Sequence, residues 1–178
     1  MSMDDSIIPT TSEQWFEFLR AEEQKTKKSF LAKPSNLISN YRGELATSRD
    51  YEGREILELL QNAADQAKAE DVSGKVVIEL TEAGLLIANN GKAFSIAGVK
   101  SLQNAHLSPK RLNQQQFIGC KGLGFRSILN WTHNPIILSG ELAIYYSDEV
   151  SANKLQELMA ESSELADLVR AERGNNKN

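Results

Sequence analysis

Glu58, Asn62 and Asp65 place oxygen-bearing side chains at positions i, i+4 and i+7 of one segment. On an α-helix turning about 100° per residue, Asn62 lies about 40° to one side of Glu58 and Asp65 about 20° to the other, so the three share a ridge. A glutamate in such a place can polarise a water, and the asparagine and aspartate oxygens are hard donors of the kind Mg²⁺ accepts. Two glycine-bearing turns follow, Asn89-Asn90-Gly91 and Gly119-Cys120-Lys121-Gly122-Leu123-Gly124. The set points to a site that holds a magnesium nucleotide and can split it.

Around these residues the pattern predicts an order of elements that must position them. A first helix spans Thr11 to Leu31, with Ser12 as its cap and Trp15, Phe16 and Leu19 as its apolar stripe. Pro34 opens a second, running to about Ala46 with Leu37, Ile38 and Tyr41 on its apolar face. The ridge-bearing helix starts at Asp50 or Tyr51 and runs to about Ala69. Residues 75–80 and 85–88 form a hairpin through Glu82-Ala83-Gly84, and Phe94 to Gln103 a short helix. The polar stretch Asn104 to Phe117 reads as a loop or lid. Gly122 to Trp131 reads as a glycine turn that becomes a helix. A second hairpin pairs Pro135–Ser139 with Glu141–Tyr146, and one amphipathic helix covers Asn153 to Glu172. The class is α+β, with an antiparallel sheet covered by helices on one side.

Composition narrows the setting. The chain has 178 residues with 40% hydrophobic and 25% charged, which predicts a globular protein able to bury a core. No run of about 18 apolar residues predicts a membrane span, and Met1-Ser2-Met3-Asp4-Asp5 lacks the basic and apolar regions of a secretory signal. One cysteine, Cys120, excludes an internal disulfide and favours a reducing cytoplasm. The net charge of −4 argues against nucleic-acid or membrane-surface binding by this segment. His106 and His133 build no triad and read as surface or structural residues, Arg126 as a surface helix arginine, and Cys120 as a small filler.

Gly53 to Ala67, Asn89-Asn90-Gly91 with Phe94, Ser108-Pro109-Lys110, and Ile118 to Ser127 form an ordered set. The set resembles the GHKL or Bergerat-fold ATPases, and within them the sacsin-like and heat-shock-chaperone-like branch. The resemblance covers about residues 36–146. It implies a Bergerat-type two-layer sandwich with an antiparallel or mixed sheet. The nucleotide-binding domain would span 36–150 with a lid at about 95–118. A helical extension at 1–35 would precede it, and a C-terminal helix and tail at 151–178 would lead into a longer chain.

The same resemblance implies the roles. Glu58 orients the attacking water, Asn62 binds Mg²⁺ and Asp65 supports that shell. Asn89 and Gly91 face the base, with Gly91 letting the ring approach the backbone. Gly119, Gly122, Leu123, Gly124 and Phe125 wrap the phosphates, where Gly122 and Gly124 expose backbone N–H groups at a helix start. Lys110 reaches the terminal phosphate from the lid. The activity implied is slow hydrolysis of ATP to ADP and phosphate, coupled to a conformational switch. ATP and Mg²⁺ are the cofactors, and a second copy in a homodimer, downstream domains or a partner protein are the partners implied. Bacterial members of the branch often belong to phage-defence gene sets.

Two departures stand beside the resemblance. Position 89 is Asn where the family carries Asp, which turns an ion-assisted bond to the base into a neutral one, about 1 kcal/mol weaker. An amide so placed serves guanine as readily as adenine when flipped. The chain also has no Gly-Thr step, which the family uses on a later strand. These departures support an alternative, a non-catalytic nucleotide sensor or interaction module.

Overall fold

The computed structural model describes residues 9–50, 52–103 and 127–175. Among them the class is α+β, with six α-helices, one 3-10 helix and two small antiparallel sheets. The chain divides into two compact units: residues 48–130 belong to one, and residues 9–47 with 131–178 to the other.

The unit of residues 48–130 begins with the end of α2 (Ser35–Asp50), followed by α3 (Glu55–Ala69), the strands β1 (Val76–Thr81) and β2 (Gly84–Asn89), and α4 (Ile96–Gln103). The 3-10 helix Ser127–Asn130 closes it. α3 starts several residues later than the sequence pattern predicts, because Gly53 takes a φ of +78° and turns the chain before Glu55. Its end is a Schellman motif. The Val72 N–H donates to the Ala67 carbonyl at 3.0 Å and the Asp71 N–H to that of Lys68 at 3.2 Å, with Asp71 at a φ of +54°. β1 and β2 pair from Val76↔Asn89 to Thr81↔Gly84, as expected. At their turn the Thr81 hydroxyl accepts from the Ala83 N–H and donates to the Gly84 carbonyl. Both faces of this hairpin carry exposed apolar side chains, Leu80 and Val77 among them. The buried apolar residues come from α3 (Ala63, Ala67) and α4 (Ile96, Val99, Leu102), the latter at helical spacing.

The second unit holds α1 (Ser12–Ala32), most of α2, and the strands β3 (Ile136–Ser139) and β4 (Leu142–Tyr145), followed by α5 (Asp148–Glu161) and α6 (Ser163–Asn175). Thr11, not Ser12, caps α1: its side chain accepts from the Gln14 N–H at 3.2 Å. β3 and β4 join through Gly140, whose φ of +57° suits a two-residue turn. Trp15 and Phe18 meet edge to face at 6.0 Å, and both are buried, as are Ile137, Leu142, Leu165, Ala166 and Val169. The exposed ion pairs Lys27–Glu161 and Lys154–Glu23 join α1 to α5, and a bidentate Arg42–Glu172 pair joins α2 to α6.

Two expectations are corrected. Among the described residues the hairpins form two two-stranded sheets, where a single sheet was expected. The single C-terminal helix is two, broken at Ser162, which is extended (φ −138°, ψ 112°). Its hydroxyl accepts from the Leu165 N–H at 3.2 Å, so it caps α6 just as its own N–H ends α5 on the Leu158 carbonyl. No helix among the described residues is long and apolar enough to cross a membrane.

Asp71 holds a conformation that a glycine adopts without a Cβ penalty, and so Asp71→Gly stabilises the chain by roughly 0.5–1 kcal/mol. A thermal melt reads this as a rise of about 1–4 °C.

Candidate functional site

α3 reaches helical form because Glu55 and Glu58 sit in its first turn and Lys68 in its last, each charge favourable to the helix dipole. The sequence alone permits the acidic ridge to be the wet face of this helix, with Ile56, Leu60, Ala63 and Ala67 turned to the core. The structure reverses the first half of that arrangement. Ile56, Leu57 and Leu60 are exposed, whereas Glu58 (6%), Asp65 (8%) and Glu55 (3%) are buried, and Asn62 is half-buried. Ala63 and Ala67 remain in the core. A ridge of carboxylates is thus turned inward while three large apolar side chains face water.

Buried carboxylates require partners. Glu58 pairs with Arg54, one turn back on the same face, through Nη2 and Oε1 at 3.1 Å. Glu55 Oε1 accepts from Asn130 Nδ2 at 3.0 Å and from the Gly53 N–H at 3.1 Å. Those donors hold the Glu55 carboxyl below its ordinary value, with the Asn130 bond the largest cause and burial opposing it.

The turn at the end of β2 lies directly on α3. A Cβ built on Gly91 would stand 2.6 Å from Gln66 Cβ and 2.8 Å from the Ala67 backbone nitrogen. The Lys92 N–H donates to the Gln66 carbonyl at 3.1 Å. The small residue at 91 is needed here because the helix backbone fills the space a side chain would take. Asn89 folds its Oδ1 back to accept from the Gly91 N–H at 3.0 Å. Asn90 braces the hairpin, accepting from the Lys75 N–H at 2.7 Å and donating to the Ser73 carbonyl at 3.0 Å.

Of the sequence-predicted residues, the structure brings Glu58, Asn62 and Asp65 onto one inward-facing ridge and seats Gly91, with Asn89 beside it, against the next turn of the same helix. Lys110, Gly119, Gly122, Leu123, Gly124 and Phe125 lie outside the described residues, as do His106, Cys120 and Arg126. His133 is exposed. Sequence reasoning passed over Glu55, Arg54 and Asn90. An acid at the first helical position and an arginine four residues before Glu58 were the available signals for the first two. Among the described residues no three His, Cys, Asp or Glu side chains gather into a metal cluster. Mg²⁺, which commonly takes only one or two protein oxygens and completes its shell with phosphate and water, does not need one.

No family model matches the chain, and no solved structure matches it. Over 84 residues, 47% of the chain, it is 33% identical to Protein NO VEIN of Arabidopsis thaliana. The matched part spans 3% of that protein's length.

Two outcomes follow from this geometry. Gly91→Ala forces its methyl into the α3 backbone and costs about 1–3 kcal/mol in chemical denaturation. The depressed Glu55 carboxyl contributes stability that is present above the ordinary carboxyl range and is lost as pH falls through its lowered folded value. In an acid titration of melting temperature, Glu55→Gln removes that part of the slope.

Proposed function

We propose that the chain is a Mg-ATP-binding switch domain of the Bergerat type that hydrolyses its nucleotide slowly, with Glu58 as the residue that orients water. The observation that carries the reading is the inward-facing ridge of Glu58, Asn62 and Asp65 with the Asn89–Gly91 turn seated on its helix. A helix with no task beyond packing gains nothing by burying carboxylates and exposing Ile56, Leu57 and Leu60. The donor set fits the cofactor: an amide oxygen on Asn62, carboxylates on either side of it along the ridge, and a glycine turn close by. The 33% identity to a stretch of Protein NO VEIN adds a relative but no activity.

Glu58 acts through its carboxylate, accepting a hydrogen bond from water and drawing its proton away as the oxygen attacks. Arg54 holds one oxygen of that carboxylate and leaves the other for water. Asn62 supplies a neutral oxygen to the cation, and Asp65, one turn further, anchors the ligands around it. Asn89, whose Oδ1 is engaged by the Gly91 N–H, presents its amide NH₂ to the base. Mg²⁺, when bound, neutralises charge across the phosphates.

The Arg54–Glu58 ion pair also favours a second reading, a sensor that binds nucleotide without splitting it, since the guanidinium occupies an oxygen of the carboxylate that would otherwise meet water. Phosphate release and melting separate the two. Mg-ATP at about 100 times its Kd stabilises the fold by about 2.7 kcal/mol, a rise of about 5–10 °C. For an ATPase, Glu58→Ala keeps that rise and lowers kcat at least about a hundredfold. A rise with no phosphate release by the unaltered chain supports the sensor. Unchanged turnover in Glu58→Ala would remove Glu58 from the mechanism.

A further inference from the structure

Glu55 is a buried carboxylate that the hydrolysis scheme leaves without a task. It stands one turn before Glu58 on α3, and its Oε1 accepts from two donors far apart in sequence. Gly53 closes the turn that leads into α3, while Asn130 ends the 3-10 helix four residues after Arg126. A glutamate that only complements a helix dipole needs no donor from a distant part of the chain. Glu55 is 3% exposed and reaches across 75 residues of chain to Asn130. Ser127, at the other end of that 3-10 helix, is fully buried. The contact therefore fixes a seam where the chain leaving the second glycine segment rejoins the helix that bears the acidic ridge.

Resting on the Mg-ATP reading above, we propose that Glu55 is a positioning residue for hydrolysis: its carboxylate pins Asn130 to the helical turn that carries Glu58. Asn62, Asp65 and Gly91 belong to later turns of α3 or pack on them, so nucleotide affinity does not depend on this seam. Placement of Glu58 relative to the reacting phosphate does. A displacement of about 1 Å at such a point costs as much as a hundredfold in rate.

Steady-state kinetics with Mg-ATP on the full chain test the assignment. Glu55→Ala lowers kcat about ten- to a hundredfold and leaves KM within about threefold. Glu55→Gln, whose amide oxygen accepts the same two hydrogen bonds, keeps kcat within about threefold of the unaltered chain. Asn130→Ala reproduces the loss, and the double variant is no slower than either single one, as one shared contact requires. Should Glu55→Ala fail to fold, Asn130→Ala and Glu55→Gln decide the matter. A melting temperature that falls while kcat of the folded protein stays unchanged overturns the proposal, and so do losses that multiply in the double variant. Binding and turnover by the unaltered chain come first. If it does neither, both the function and this role fail; if it binds without turnover, the sensor reading stands and this role fails. If it does both, and kcat ignores Glu55, only this role fails.

Discussion

The fold around α3 is governed by the burial of its carboxylates. Removing an ionised carboxyl from water is costly, and the cost is offset only where donors are already in place. Glu58 has the Arg54 guanidinium, and Glu55 has the Gly53 backbone and the Asn130 amide. These partners constrain the local chain. Gly53 must turn at a positive φ, α3 must begin at Glu55, and the 3-10 helix must end with Asn130 against it. On the opposite face the early turns expose Ile56 and Leu60, with Leu57 exposed beside them, whereas the later turns bury Ala63 and Ala67.

The second constraint on α3 is steric. Gly91 and the Lys92 N–H dock on Gln66 and Ala67, and a Cβ built on Gly74 would stand 3.1 Å from Ala67 Cβ. The hairpin β1–β2 is thereby tied at its base, through Asn90 and the turn, while its far end carries Leu80 in open solvent. What the ridge offers a ligand and where the Asn89 amide sits are thus set by one helix and two close backbone approaches.

Periodicity made the elements legible where one pattern dominated. The β1–β2 hairpin and the short helix ending at Gln103 lie close to where alternation and helical spacing put them. Boundaries failed where a single polar side chain decided them. Ser162 splits a continuous amphipathic stretch because its hydroxyl caps α6, and Thr11 takes the cap that Ser12 was expected to hold. The ridge of Glu58, Asn62 and Asp65 was visible from spacing alone, but its inward orientation was not: an apolar stripe at Ile56 and Leu60 argues for the opposite face, and only long-range contacts settle which side is covered. Glu55 stayed hidden for the same reason, since its partner lies far along the chain.

The two tryptophans fall in one unit and differ in surroundings. Trp15 is 2% exposed, its indole N–H without an acceptor among the described residues, while Trp131 is 46% exposed. The unit that carries α3 contains neither. Intrinsic emission of this chain is therefore a blue-shifted signal from Trp15 superposed on a red, quencher-accessible one from Trp131, and both report on the unit without the ridge.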